Sequence, residues 1–125
     1  MPLSVAFGLE REIDPAYGEL PWREGETVLR RAQSLKCELA GSWADLDAAR
    51  RHWRDALVRR ALSETGDLVI VSHFVVINAL IGAALRDDRM VVAGLQNASV
   101  TEILVEGEEL KLVRLGQEDQ ALLRR

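Results

Sequence analysis

Residues 66–79 read GDLVIVSHFVVINA, and this stretch predicts one α/β unit. The four apolar residues at 68–71 do not alternate with polar ones, which is typical of a strand covered on both faces in a parallel sheet. Ser72 and His73 then form a short polar turn, and the apolar run Phe74–Leu85 predicts a buried helix. Functional groups in such a unit lie at the carboxyl end of the strand, where His73 stands.

The flanking sequence predicts two earlier helices and a later hairpin. Apolar residues at helical spacing predict helices over 27–39 and 44–63. In the second helix, arginines such as Arg50 are interleaved with carboxylates, which favours a solvated face over a nucleic-acid surface. Residues 100–105 and 110–115 have strand patterns, and the polar turn 106–109 joins them. Residues 14–22, rich in Gly and Pro, predict an ordered loop.

Composition narrows the class of protein. With 125 residues the chain has the size of one domain, and its net charge of -4 disfavours nucleic acid and anionic membranes as partners. No apolar run is long enough to span a bilayer. The single cysteine, Cys37, excludes an internal disulfide and suggests a reducing compartment, so we expect a cytoplasmic protein. The two histidines are far apart in the sequence, so we expect no metal site. The sequence has no nucleotide-binding glycine motif, so we expect no cofactor.

Three residues could carry chemistry. His73 precedes a helix whose first amides can bind an anion, and its imidazole could donate a hydrogen bond to a phosphate oxygen. The alternative is a packed or surface histidine. Ser72 points to the opposite face of the strand, which argues against a serine–histidine dyad. Glu19, in the Gly/Pro loop, is either a general acid or an exposed loop carboxylate.

Two segments together resemble a known family. Residues 66–79 and residues 97–105 (NASVTEILV) are similar to the C-terminal half of the histidine phosphatase superfamily, which has the phosphoglycerate-mutase-like fold. In that family a strand ending in Ser/Thr-His supplies the second active-site histidine, here His73, with Phe74 beside it at the phosphate. An N-x-S-V-T segment follows, here from Asn97 to Thr101. The resemblance implies a three-layer α/β/α sandwich and hydrolysis of a small phosphomonoester through a phosphohistidine, without a cofactor.

The opening of the chain resembles the segment of the family that contains its proton donor. Residues 2–8 (PLSVAFG) and 13–21 (IDPAYGELP) carry this similarity. Glu19 is the best match for the donor, and Glu12 is the match in the alternative register. A general phosphatase is preferred over a mutase because the sequence has no long lid-like insertion.

The sequence departs from the family in one respect. The family's first strand ends in an Arg-His-Gly motif whose histidine attacks phosphorus, whereas the only Arg-His pair here, Arg51-His52, precedes Trp53. We therefore expect residues 1–125 to be a single partial domain without its first strand, inactive alone and prone to self-association through exposed sheet. The alternatives are a non-catalytic remnant that binds an anion or a partner, and a half that another chain complements.

Overall fold

Helices and one hairpin make up the regular structure of residues 8–119, the part of the chain that the computed structural model describes. The helices are α1 (Val28–Leu39), α2 (Ala48–Leu62) and α3 (Phe74–Leu85), and the hairpin consists of β1 (Glu102–Glu106) and β2 (Glu109–Arg114). Short 3₁₀ turns lie at Pro15–Tyr17 and Trp43–Asp45. The predictions of three helices and of a C-terminal hairpin are confirmed.

Side-chain caps explain where the first two helices begin. Thr27 accepts a hydrogen bond from the amide of Arg30 at 3.2 Å, and α1 starts directly after it. Asp47 accepts from the amide of Arg50 at 3.0 Å, so α2 begins at Ala48 rather than at residue 44. Such caps satisfy amides that have no acceptor within the helix.

The core forms where α3 packs against α2 and the hairpin. Val76 and Ala79 of α3 are fully or almost fully buried and belong to one cluster with Leu57 of α2 and Trp43. Ile81 of α3 is buried in a second cluster with Ala93 and Leu95. One position on α3 requires glycine, because a Cβ on Gly82 would lie 2.7 Å from the carbonyl oxygen of Asp87. This close approach lets the chain turn back tightly after α3.

Asn78 is the buried polar residue of α3. Its Oδ1 accepts hydrogen bonds from the amides of Val92 and Ala93, both at 2.8 Å, and its Nδ2 donates to the carbonyl of Phe74 at 3.2 Å. The side chain is completely buried. In the sequence Asn78 only interrupts an apolar run, whereas in the structure it fixes the connection between α3 and the hairpin.

The prediction of a strand at 68–71 is wrong for the structure of residues 8–119. These residues belong to no helix or strand, and the sheet within residues 8–119 consists of β1 and β2 in antiparallel order. A strand needs a hydrogen-bonded neighbour, and no described segment pairs with this one. Its four apolar side chains are exposed as a result. Helices with a small sheet agree with the α/β class, and the three-layer arrangement stays a prediction.

Candidate functional site

His73 stands at the start of α3 with an accessible side chain. Its backbone is extended (φ -114°, ψ 158°), it is the N-cap residue, and its carbonyl accepts the amide of Ile77 at 3.0 Å. The imidazole makes no capping hydrogen bond and is exposed. The first amides of a helix have no intrahelical acceptor, and the helix dipole makes this end electropositive. An imidazole and the amide end of a helix therefore meet at one surface.

Ser72 connects this surface to the Gly/Pro loop. Its Oγ donates a hydrogen bond to the carbonyl oxygen of Tyr17 at 2.7 Å, across 55 residues of sequence. The Ser72 hydroxyl therefore donates its proton to the loop and not to the imidazole of His73. This contact agrees with the expectation that Ser72 and His73 do not act as a nucleophile and its base.

The two carboxylates considered as proton donors have different surroundings. Glu19 follows Tyr17 by two residues, so it lies in the loop that Ser72 holds, and its side chain is 55% exposed. Its Oε1 lies 3.9 Å from a terminal nitrogen of Arg31, and it has no hydrogen bond to His73. Glu12 is exposed and forms no ion pair with residues 8–119. The contact between Ser72 and Tyr17 brings the loop that contains Glu19 to the start of α3. The choice between Glu19 and Glu12 as the proton donor stays a prediction.

Two buried arginines hold the same loop from the other side. Arg31 of α1 is 7% exposed and Arg50 of α2 is 4% exposed. Arg31 donates to the backbone carbonyls of Leu20 and Pro21, and Arg50 donates to the carbonyl of Pro21. The prediction that Arg50 lies on a solvated face is therefore wrong. The signal that could have placed it is spacing, since Arg50 lies seven residues before the buried Leu57 and thus on the same helix face.

An ion-pair network surrounds Arg50. Its Nε lies 3.3 Å from Oε2 of Glu38, and Arg23 bridges Glu38 to Asp47. The hydrogen bonds that Arg23 donates to Glu38 and Asp47 raise the pKa of Arg23. The hydrogen bonds that Asp47 accepts, first from the backbone amide of Arg50 and then from Arg23, lower the pKa of Asp47. These contacts join the loop, α1 and α2 into one unit beside the site.

Tyr17 anchors the beginning of the loop. Its side chain is buried, and its hydroxyl donates to Oε1 of Glu64 at 2.8 Å. Arg60 pairs with Glu64 at 3.3 Å and with Asp14 at 2.6 Å. Burial, followed by the hydrogen bond to Glu64, raises the pKa of Tyr17 to about 12. The loop is thus fixed at Tyr17 by both its side chain and its carbonyl.

This anchor makes the fold sensitive to alkaline pH. Because Tyr17 is the only tyrosine, its phenolate absorbance can be followed directly. We expect it to titrate near pH 12 in the folded protein and near pH 10 in urea. A folded pKa above the unfolded value stabilises the fold fully below about pH 10, and that stabilisation is lost as pH rises toward 12. Titration at the same pH with and without urea would contradict the buried hydrogen bond.

Other kinds of site find no support within residues 8–119. This range has no group of three or more His, Cys, Asp and Glu residues placed to hold a metal ion. It also has no helix with the length and apolarity needed to cross a bilayer. A cavity of about 470 Å³ lies at the far end of α3, lined by residues that include Trp43, Arg54 and Arg86. His73 and its neighbours at the start of α3 are not among the residues that line this cavity. We therefore take the start of α3, and not the cavity, as the candidate site.

Comparison with known proteins identifies the family. The model of the histidine phosphatase superfamily (branch 1) matches residues 11–118. The comparisons with curated proteins and with solved structures give no match. The family match covers the loop, all three helices and the hairpin, and it includes both His73 and Glu19. The chain belongs to the histidine phosphatase superfamily.

Proposed function

We propose that this chain binds the phosphate group of a small phosphomonoester at the start of α3. The observation that carries the proposal is the exposed imidazole of His73 at the amide end of that helix, in a member of a phosphatase superfamily. Helix N-termini favour phosphate because their amides and dipole both complement negative charge. His73 donates to one phosphate oxygen, and the amide of Phe74 donates to another.

Glu19 is the proposed proton donor to the leaving oxygen. When a phosphomonoester is cleaved, the bond between phosphorus and the ester oxygen breaks, and that oxygen needs a proton to leave as an alcohol. The hydrogen bond from Ser72 to Tyr17 places the loop of Glu19 near the start of α3. The side chain of Glu19 is 55% exposed, so a leaving oxygen can approach its carboxyl group from solvent.

Hydrolysis in the family's manner also needs an imidazole that attacks phosphorus and is later released by water. These 125 residues contain two histidines, and His52 is exposed within α2, away from the contacts that define the site. Loss of a covalent nucleophile removes most of the rate. We therefore propose phosphomonoester hydrolysis as the reaction of the family's complete site, and binding without turnover for this chain alone.

A second candidate is a non-catalytic role, in which the site binds an anion or a partner chain. The observation that favours it is that residues 1–125 contain no Arg-His-Gly motif. A complementing half, in which another chain supplies that motif, would behave in the same way until the second chain is added. The single cysteine, Cys37, fits a reducing compartment, so we propose the cytoplasm as the location of either form.

Turnover and binding measured together test the proposal. We expect calorimetry with inorganic phosphate to give a saturable isotherm, and p-nitrophenyl phosphate to be hydrolysed no faster than in buffer. If the wild type hydrolyses p-nitrophenyl phosphate and His73→Ala does not, the proposal of binding without turnover is wrong. That result would also exclude the non-catalytic candidate. A flat calorimetric trace would overturn phosphate binding itself.

We also propose that two copies of the chain associate through residues 68–71. Val69 and Val71 are 68% and 87% exposed, and the backbone of this β-branched segment has no partner strand among the described residues. An exposed apolar segment whose backbone groups are unpaired can form a pair of β-strands with the identical segment of a second copy. We expect sedimentation velocity to detect a dimer that Val71→Lys abolishes. Val113→Lys is the matched control on β2, 60% exposed in the wild type, and it should leave the dimer intact. A monomer at every concentration would contradict the proposal.

A further inference from the structure

Two guanidinium groups from different helices converge on one short stretch of loop backbone. Arg31 donates to the carbonyl of Leu20 at 2.8 Å and to that of Pro21 at 3.4 Å, and Arg50 donates to the same Pro21 carbonyl at 2.6 Å. Buried arginines usually pair with carboxylates, since an isolated buried charge is costly. Here much of their donor capacity is directed at neutral carbonyl oxygens.

The residues on both sides of Glu19 are therefore fixed. On its C-terminal side the Leu20 and Pro21 carbonyls are held by the arginines, Leu20 is 1% exposed, and the Arg31 guanidinium lies 4.9 Å from the ring centre of Trp22. On its N-terminal side the Tyr17 carbonyl is held by Ser72, the neighbour of His73. Glu19 is the exposed residue between these two anchors, and Arg31 also lies 3.9 Å from its carboxylate.

We propose that Arg31 is a positioning residue that holds Glu19 beside the phosphate site at His73, with Arg50 supporting the same loop. This inference rests on the proposed function, because the position of Glu19 matters only if phosphate binds at His73. The fork of the guanidinium is essential to the role, since one group bonds to two successive carbonyls while it faces the carboxylate. Lysine keeps the charge but lacks this geometry.

Backbone relaxation measured by NMR tests whether Arg31 fixes the loop, independently of any ligand. In the wild type we expect order parameters near 0.85 at Glu19 and Leu20, and in Arg31→Gln a fall below about 0.6. Arg31→Lys should give intermediate values, and it serves as the informative variant if Arg31→Gln does not fold. Arg30→Gln is the matched control, because Arg30 is the exposed neighbour on α1. Unchanged order parameters in both Arg31 variants would overturn the proposal.

A double-mutant cycle on the affinity for inorganic phosphate tests the positioning role itself. In the wild-type background Glu19→Gln should tighten phosphate binding by about threefold, because it removes a negative charge close to an anion. In the Arg31→Lys background that effect should vanish, whereas it should persist in the Arg30→Gln background. An equal effect in the wild type and in Arg31→Lys would mean that Arg31 is only structural, and would overturn the proposal. If the wild type binds no phosphate, the proposed function fails, and the order parameters alone decide whether Arg31 fixes Glu19.

Discussion

Replacing Asn78 with leucine is expected to lower the free energy of unfolding by about 4 kcal/mol. Leucine has a similar volume, so the change leaves no large cavity. It does remove the oxygen that accepts hydrogen bonds from the amides of Val92 and Ala93. Each buried donor left without an acceptor costs about 1–3 kcal/mol, and here two are lost at once. Urea denaturation followed by far-ultraviolet circular dichroism measures the difference.

The other asparagine of the chain provides the matched control. Asn97 is exposed in the connection before β1, so Asn97→Leu should change the free energy of unfolding by less than about 0.5 kcal/mol. Comparable small effects at both positions would show that the amides of Val92 and Ala93 find other acceptors. The proposed role of Asn78 in fixing the connection to the hairpin would then be wrong.

Replacing His73 with alanine is expected to weaken the binding of inorganic phosphate by about tenfold to a hundredfold. A hydrogen bond to a charged group contributes about 1.5–3 kcal/mol, which corresponds to that range of affinity. His73→Gln should lose less affinity, because its amide retains a donor. The helix amides remain in every variant, so residual weak binding is expected. Calorimetry at constant ionic strength measures the three dissociation constants.

The variant His52→Ala shows whether a loss of phosphate affinity in His73→Ala is local to the start of α3 or comes from a change in overall charge. It is exposed on α2, and His52→Ala makes the same chemical change away from the start of α3. We expect its dissociation constant to equal that of the wild type. Equal losses in His52→Ala and His73→Ala would indicate non-specific attraction of phosphate and would contradict a site at His73.

The helices and the hairpin could be predicted because their signals are local. The apolar run of Phe74–Leu85, the Thr27 cap and the polar turn around Gly107 each act within a few residues. The segment at 68–71 could not be assigned in the same way. Its composition favours a strand, but a strand exists only through a neighbour, and none of the described residues pairs with it.

The candidate site was predictable to a similar extent. The place of His73 at the start of α3 follows from adjacent residues, because a polar turn separates two apolar runs. The contacts that assemble its surroundings are long-range. Ser72 reaches Tyr17 across 55 residues, and Arg50 reaches Pro21 across 29. Nothing in the local sequence of Arg50 distinguishes a buried donor to a carbonyl from a solvated arginine, apart from its shared face with Leu57.

The most direct test of the proposed phosphate site is an NMR titration of the two histidines with inorganic phosphate. The imidazole signals can be assigned with His52→Gln, since the chain contains only His52 and His73. The proposed site predicts that the His73 signal shifts and saturates while the His52 signal stays in place. A His73 signal that does not move, or two signals that move together without saturation, would contradict it.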